Sequence, residues 1–315
     1  MGFSLKPNEP VAKEITKIVL RQFEMADTEL TDIGNPSGDA AIHKARRRVK
    51  KIRALIRLVR PGLGGAFDPL NKRLRETVRL LAPIADGQGV VDALDKMAEK
   101  YREDFSPPVF ATIRAGLVER EARADRKAKV ERVLQRARAT LKTERTRVKD
   151  WDLNGGGFRS IADGLETSFR RARRAMIVTV EHPTADNYHT WRRRVKEHWF
   201  HVRLIERRCG TRLARYKRRL EALDECLGEY HNFALLHTIL SADPFVSRQE
   251  TARRLRIIRR YQVELRRRAS SIGSRLYNEK PRHFIRRVQA FWQLTNVLGH
   301  HVTPDRTCRR RTASA

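Results

Sequence analysis

Apolar residues recur at spacings of three and four along almost every long segment of the chain, which is the pattern of amphipathic α-helices. In the segment of residues 11–30, for example, they are Ile15, Val19, Phe23 and Leu30. No segment alternates between apolar and polar residues with the period of a β-strand over a useful length. The pattern therefore predicts an all-α protein whose helices pack into bundles.

Glycine and proline residues mark where these helices are expected to begin and end. The loop of residues 34–39 ends the first helix and supplies Asp39 as the N-cap of a second, which stops at Pro61 and Gly62. The sequence Asn-Gly-Gly-Gly at 154–157 is the strongest candidate for a linker. Around these breaks the expected helices include residues 11–30, 41–60, 69–85, 90–101, about 109–149, 253–277 and 281–298.

A basic helix occurs twice, from His43 to Leu58 and from His189 to Leu204, at an offset of 146 residues without a gap. The same offset relates Ile161, Leu165, Phe169, Met176, Leu220 and Leu227 to Ile15, Val19, Phe23, Leu30, Leu74 and Leu81. This register predicts a duplicated fold, with repeats at about 1–150 and 155–302 that form one domain. A disordered basic tail is expected at 303–315.

Each copy of the basic helix carries an apolar stripe and a cationic stripe, displaced by about 100° around the helix axis. The apolar stripes are Ile42, Ala45, Val49, Ile52, Ile56 and Val59 in the first copy, and Tyr188, Trp191, Val195, His198, Val202 and Ile205 in the second. The cationic stripes are His43, Arg46, Lys50, Arg53 and Arg57, and then His189, Arg192, Lys196 and Arg203, with Trp199 where Arg53 would be. Because the cations border the core, their stems can lie along apolar surface while their charges converge at a groove edge. If the halves pack with pseudo-twofold symmetry, both stripes face one central channel.

The chain carries 68 Lys and Arg residues against 37 Asp and Glu, a formal net charge of +31 over 315 residues. An excess this large repels itself in a compact fold and is typical of a protein with an anionic partner, here nucleic acid, polyphosphate or an acidic membrane surface. Neighbouring cations on a stripe lie about 5–6 Å apart, and arginine can hold phosphate oxygens with two parallel hydrogen bonds. The stripes therefore suit an extended chain of phosphates.

Other features of the sequence argue against several kinds of site. Cys209, Cys226 and Cys308 are odd in number and widely spaced, which predicts neither disulfides nor a metal site and favours a reducing cytoplasm. No run approaches the roughly 18 apolar residues of a membrane span, so we expect a soluble protein without membrane insertion. The glycines at 62–65 and 87–89 do not follow strands or precede Gly-Lys-Ser/Thr, so they are interpreted as connectors.

We also expect neither a metal nor a cofactor, and no catalytic residues. His198 and His201 lie three apart on one helix without a third ligand in the pattern. Carboxylates look sparse near the cationic stripes, whereas hydrolysis of a phosphate chain normally needs carboxylates that hold a divalent metal. A hydrolase or kinase is therefore disfavoured, and the sequence indicates a binding protein rather than an enzyme.

The repeated helix resembles the hallmark of the CHAD domains (conserved histidine α-helical domains), which have the pattern H-x-x-R-x-x-x-[KR]-x-x-[RK] once in each half. That pattern is met here by His43, Arg46, Lys50 and Arg53, and by His189, Arg192 and Lys196. A second signature, an L-G-x-x-x-D-like turn, resembles residues 227–232, where Asn232 replaces the acid. In the first half, residues 81–86 keep the leucine and the acid but lose the glycine.

The resemblance covers nearly the whole chain, and it implies two four-helix bundles that bind inorganic polyphosphate in a basic central groove or pore. It also implies an association with cytoplasmic polyphosphate granules. The predicted binding residues are His43, Arg46, Arg47, Lys50, Arg53, Arg57, His189, Arg192, Arg193, Lys196 and Arg203. Whether Arg47, Arg193, Lys51 and the basic second-half helices line the groove or face solvent is left open by the sequence.

A non-specific nucleic-acid-binding protein is the alternative. Residues 253–268 carry eight arginines against the single Glu264, enough charge to hold a nucleic-acid backbone. However, no helix-turn-helix, RNA-recognition motif or zinc finger is visible, and aromatic residues make up only 7% of the chain. We therefore expect nucleic acid only as a weak competitor. The sequence does not indicate an oligomeric state.

Overall fold

The chain is all-α wherever its structure is described. A computed structural model describes residues 3–7, 9–31, 38–82, 95, 99–103, 126–151, 153, 156–241 and 248–300, and contains no β-strand within these ranges. Its helices are α1 (Val11–Thr31), α2 (Gly38–Leu58), α3 (Arg60–Leu63), a 3₁₀ turn (Gly64–Ala66), α4 (Phe67–Leu80), α5 (Arg126–Val148), α6 (Arg159–Glu181), α7 (Ala185–Ser241), α8 (Arg248–Leu276) and α9 (Pro281–His300). The prediction of an all-α protein is thereby confirmed for the described residues.

Some helix ends differ from the sequence prediction. The helix expected to run to Arg60 ends at Leu58, because Val59 leaves the helical conformation with φ −102° and ψ 21°. Pro61 then lies in the first turn of α3, where its missing N–H removes no helical hydrogen bond. The next helix begins at Phe67. Most of the expected helix at 90–101, the side chain of Asp39, part of the linker (154–155) and the tail (303–315) lie outside the described residues.

The helices pack in two groups that meet at α2. In the first group, α1 packs against α2 and α5, and α4 packs against α2 and α5. In the second group, α7 packs against α6, α8 and α9, and α6 also contacts α8 and α9. Helix α2 contacts both α6 and α7, and α3 contacts α6. The first basic helix therefore lies at the boundary between the groups.

Helix α7 folds back on itself at Gly210. This glycine has φ 67° and ψ −164°, a left-handed conformation that glycine adopts without strain, and it divides α7 into an N-terminal arm (185–209) and a C-terminal arm (211–241). The arms run antiparallel, because Lys196 contacts Asp224 and Tyr188 contacts Tyr230. In the first half, Gly64 stands at the corresponding position and also has a positive φ, of 48°.

The two predicted apolar stripes form the inner faces of their helices, since all twelve of their residues are at most 3% exposed. The positions related by the offset of 146 residues are also buried in both halves, with the exception of the half-buried Met176. Burial of apolar side chains is the dominant favourable term in folding. The helical periodicity therefore predicted the core correctly.

Two close contacts hold α2 against the second group. At Gly164 of α6, an added Cβ would lie 2.0 Å from the carbonyl oxygen of Leu58, so only glycine allows the backbones to approach this closely. His201 in the N-terminal arm of α7 donates a hydrogen bond from Nε2 to the carbonyl oxygen of Ala54 in α2, at 2.8 Å. We call the contact between α2 and the N-terminal arm of α7 the junction.

Candidate anion-binding site

The fold of α7 brings the second basic motif against the second signature segment. The ring of His189 lies 4.9 Å from the ring of His231, and Lys196 Nζ lies 2.5 Å from Asp224 Oδ2. Between these two contacts, the guanidinium of Arg192 lies next to Gly228: a Cβ added to this glycine would lie 3.6 Å from Nη2 of Arg192. Three motif residues of one arm therefore face three residues of the other arm at successive turns.

Trp199 holds two cations of the second stripe. Lys196 Nζ lies 4.4 Å and Arg203 Cζ 5.1 Å from the centroid of its ring, distances at which the negative face of an indole attracts cations. The indole Nε1 donates a hydrogen bond to Glu221 Oε1 at 3.2 Å, and this bond holds the ring against the C-terminal arm, to which Glu221 belongs. The residue that departs from the family pattern thus orients its cationic neighbours.

The corresponding cations of α2 are partly buried. Arg53 donates from Nε to Asn71 Oδ1 at 3.3 Å, and Arg57 Nη1 lies 3.2 Å from Glu197 Oε2 in α7. Burial, followed by repulsion from Arg57, lowers the pKa of Arg53 to about 9. Burial also lowers the pKa of Arg57, although Glu197 opposes this change. These guanidinium groups therefore lie in an environment crowded with positive charge.

Glu197 is the carboxylate around which several cations gather at the junction. It is 8% exposed and lies within ion-pairing distance of Arg57 in α2, of Arg194 at 3.5 Å in α7 and of Arg171 at 4.0 Å in α6. A buried carboxylate needs such partners, since an unpaired buried charge is strongly destabilising. Glu197 therefore links three helices.

The junction also brings cations of the two basic helices close enough to affect one another. The pKa of His189 is lowered first by partial desolvation of the ring, which stays exposed on one side, and then by Arg193 and Arg192, while Asp186 opposes and Lys50 of α2 adds to the lowering. Arg193 likewise contributes to the lowered pKa values of Arg53 and Arg57, after burial and nearer charges. The structure thus places the two predicted stripes within electrostatic reach of each other.

The predicted binding residues differ in exposure. Those that are exposed are Arg47, Lys50, His189 and Arg193. Those that are half-buried are His43, Arg46, Arg53, Arg57, Arg192, Lys196 and Arg203. None of these side chains is fully buried, so each keeps some surface for an anion.

The acidic residues of this region were not predicted from the sequence. The expectation that carboxylates are sparse near the stripes is wrong, because Glu197 lies inside the second copy and Asp224 and Glu221 face it from the other arm. The position of Glu197, directly after Lys196, was a usable signal. Its pairing with Arg57 was not, because that contact joins residues 140 apart in sequence.

His198 and His201 serve the core. His198 Nδ1 lies 2.9 Å from Ser168 Oγ and its Nε2 lies 3.0 Å from Tyr216 Oη, while His201 is bound to Ala54. Burial lowers the pKa of both histidines. Within the described ranges, no three His, Cys, Asp or Glu side chains come together as a metal site.

The buried thiols of Cys209 and Cys226 are free. Burial raises the pKa of Cys209 to about 12 and that of Cys226 to about 11, so neither is a thiolate near neutral pH. In the described part of the chain, no helix combines the length and apolar character needed to cross a bilayer.

The basic helix α8 packs against both arms of α7. Arg266 packs over the rings of Tyr188 and Tyr230 and donates to the Tyr230 hydroxyl at 3.0 Å. The exposed arginines among the described side chains of α8 are Arg253, Arg256, Arg259, Arg260, Arg267, Arg268 and Arg275. A cavity of about 1030 Å³ lies elsewhere, between α1 and Trp151, and none of the predicted binding residues lines it.

The sequence model of a known family, the CHAD domain, matches residues 19–241. This match covers more than half of the chain and includes both copies of the basic helix and the second signature segment. No curated protein matches the chain. On the family match and on the motif residues that it contains, the chain belongs to the CHAD domain family.

Proposed function

We propose that the protein binds inorganic polyphosphate, without catalysis, on the basic surface of the junction. Polyphosphate binding is a known property of the CHAD family. The observation that carries the proposal for this chain is the convergence of two cationic stripes, from α2 and from the N-terminal arm of α7, at one contact between helix groups. A phosphate chain would bridge cations that otherwise repel one another.

The proposal includes a duplicated architecture of two four-helix bundles, with repeats at about 1–150 and 155–302 in a single domain and a basic groove between them. Three observations support it: the shared register of buried residues, the bends at Gly64 and Gly210, and the antiparallel packing of the two basic helices. In such an arrangement, Arg57 contacts Glu197 and Ala54 contacts His201 near the axis that relates the halves.

The mode of binding that we propose is many charge-assisted hydrogen bonds along an extended chain. Arginine holds phosphate oxygens in pairs and lysine acts as a point charge. The eleven predicted residues, from His43 to Arg203, supply these contacts. Binding then depends steeply on salt, because each phosphate that is neutralised releases condensed counterions.

A role without catalysis agrees with the pairing of the nearby carboxylates. Glu197 is held by Arg57, and Asp224 is held by Lys196. Cleavage or transfer of phosphate normally requires carboxylates that coordinate a divalent metal, and a carboxylate held by a cation is a poor metal ligand. We therefore propose a binding protein that associates with polyphosphate granules in the cytoplasm.

The exposed arginines of α8 favour one second candidate, non-specific binding of nucleic acid. Two sets of substitutions separate the surfaces: Arg46→Ala with Arg192→Ala in the motif helices, and Arg256→Ala with Arg259→Ala in α8. Affinity for long-chain polyphosphate and for duplex DNA is measured by calorimetry over a series of salt concentrations. We expect only the motif variant to lose polyphosphate binding. Equal losses in both variants would favour a diffuse electrostatic surface.

A further inference from the structure

Two contacts at the junction occupy matching positions in the repeat but have opposite electrostatic character. Arg57 of α2 meets Glu197 of α7. At the offset of 146 residues, the counterpart of Arg57 is Arg203 and the counterpart of Glu197 is Lys51. The first contact therefore pairs a cation with a carboxylate, whereas two cations occupy the matching positions of the repeat, where Arg203 lies near enough to Lys51 to lower its pKa.

The second contact lies around an aromatic cluster made of Phe3, Trp199 and Phe200. Phe3 and Phe200 have ring centroids 5.7 Å apart, and Phe200 and Trp199 have centroids 5.1 Å apart. Lys51 Nζ lies 5.6 Å from the Phe3 centroid, and Arg203 Cζ lies 5.1 Å from that of Trp199. The N-terminal segment and α7 thus supply the rings of one aromatic cluster, and α2 and α7 supply the cations that lie against it.

The carboxylates near this cluster form ion pairs with cations other than Lys51 and Arg203. Lys196, which lies over Trp199, is paired with Asp224, and Arg48 is paired with Glu29. Among the described residues, no carboxylate lies within ion-pairing distance of Lys51 or Arg203. At the matching contact in the other half, by contrast, Arg57 has the carboxylate of Glu197 as its ion-pair partner.

We propose that Lys51 and Arg203, with Lys196 beside them, form a phosphate subsite over the aromatic cluster, at the place that Glu197 occupies in the other half. The ligand is one phosphate of a linear polyphosphate chain. This inference rests on the proposed function and locates a subsite within it. Lys51 is outside the family motif, so the subsite is not given by the motif.

The surroundings of Lys51 strengthen its interaction with an anion. The aromatic rings exclude water from one side, and charges interact more strongly where the local dielectric constant is low. Burial first, and then Arg48, Arg203 and Arg47, lower the pKa of Lys51 to about 8, while Glu29 opposes. A bound phosphate favours the protonated amine, so its binding raises this pKa and takes up protons between about pH 8 and the ordinary lysine pKa of about 10.4.

The first test is Lys51→Glu, which places a carboxylate opposite Arg203, as Glu197 is opposite Arg57. We expect the affinity for long-chain polyphosphate to fall about tenfold or more, because the new carboxylate repels phosphate and occupies Arg203. The melting temperature is expected to stay the same or rise, because a pair of like charges becomes a pair of opposite charges. Lys142→Glu is the matched control, since it makes the same charge change at an exposed position of α5. This helix packs against α1 and α4.

The second test is Lys51→Met, which removes the charge and keeps an unbranched side chain. Calorimetric titrations at about pH 8.5, in buffers of different ionisation enthalpy, measure the protons taken up on binding. We expect the wild type to take up more protons than Lys51→Met, in addition to a weaker affinity of the variant. This difference also isolates Lys51 from Arg53, whose pKa is lowered to about 9.

The outcomes separate this inference from the proposed function. If wild type binds polyphosphate and Arg46→Ala with Arg192→Ala abolishes binding, while both Lys51 variants match Lys142→Glu, the subsite is wrong and the function stands. If wild type does not bind polyphosphate, both fail. If Lys51→Glu does not fold, the Lys51→Met result decides: unchanged affinity and unchanged proton uptake overturn the subsite.

Discussion

The two basic helices, α2 and the N-terminal arm of α7, share the same pattern of buried residues but carry different charges where they contact each other at the junction. Both have buried apolar stripes and both are followed by a glycine with positive φ. They share cations at the motif positions, such as Arg46 and Arg192. They differ where Lys51 corresponds to Glu197 and where Arg53 corresponds to Trp199.

The two differences distinguish residues that both basic helices share from residues that give the two halves different charges. Under the proposed function, a side chain present in both copies would have the same role in each wall of the groove. Glu197 instead closes one contact with an internal ion pair, and Trp199 replaces a cation with a ring that orients Lys196 and Arg203. Under the proposed function, a phosphate chain would meet one contact that an internal ion pair already neutralises and one that lacks such a pair among the described residues.

The largest expected effect comes from forcing α6 away from α2 at their closest approach. Gly164→Ala places a Cβ 2.0 Å from the Leu58 carbonyl oxygen, so α6 must move away from α2. We expect the free energy of unfolding to fall by about 3 kcal/mol, at the upper end of the usual cost of overpacking. Denaturant unfolding measures it. Gly65→Ala, at a glycine with open space around it, is the control, and equal losses would show that the close approach is unimportant.

Next in size is the removal of the carboxylate that joins the copies. Glu197→Ala leaves Arg57 partly buried without its partner, and breaking such a pair costs about 3 kcal/mol. Lys51→Ala at the matching position has no ion pair to lose among the described residues, and we expect a change within about 0.5 kcal/mol. Urea unfolding of both variants tests this asymmetry. Equal costs at 51 and 197 would contradict it.

A smaller effect concerns pH. The pKa of His189 in the free protein is below its ordinary value, through burial and then Arg193 and Arg192, so the ring is mostly neutral at pH 7. Phosphate favours the protonated ring, so binding takes up a proton and affinity rises as the pH falls. We expect binding to tighten about three- to tenfold between pH 7.5 and 5.5.

The measurement compares wild type with His189→Gln, which keeps hydrogen-bonding capacity but does not titrate in this range. We expect the variant to lose part of the gain at acidic pH, while His283→Gln on the exposed surface of α9 keeps all of it. A gain that is the same in all three proteins would exclude His189 from contact with phosphate.

The smallest expected effect is a change in the salt dependence of binding when Trp199, the counterpart of Arg53, is replaced. Trp199→Arg gives the second wall the cation of the first and removes the ring beneath Lys196 and Arg203. One extra phosphate contact would steepen the dependence of log affinity on log salt by about 0.7. Trp199→Phe keeps a ring and should leave the slope unchanged. A slope that does not change in Trp199→Arg would mean that position 199 does not reach the ligand.

The sequence predicted what depends on local periodicity. The apolar stripes were identified correctly because a helical stripe is a property of neighbouring residues, and Trp191 and Val195 are buried as that pattern requires. The glycines at 62–65, interpreted as a connector, lie in the short α3 and the 3₁₀ turn between α2 and α4, whereas those at 87–89 lie outside the described residues. The doubled motif was enough to indicate the family, which the family match confirms.

Charge pairing could not be predicted in the same way. Glu197 meets Arg57 only because α2 packs against α7, and Lys196 meets Asp224 only because α7 bends at Gly210. The bend had a signal, because Gly64 and Gly210 are related by the offset of the repeat. The difference between Lys51 and Glu197 was visible as well, but its meaning required the contact that joins the two copies.

The most direct test of the central claim is a competition assay at about 150 mM salt, where charges are screened within about 8 Å. Long-chain polyphosphate competes against labelled duplex DNA and single-stranded RNA for wild type and for Arg46→Ala with Arg192→Ala. We expect polyphosphate to displace both nucleic acids from wild type at concentrations lower by orders of magnitude, and the double variant to lose this advantage. Equal binding of all polyanions, unchanged in the variant, would contradict a phosphate-chain site built from the two motif helices.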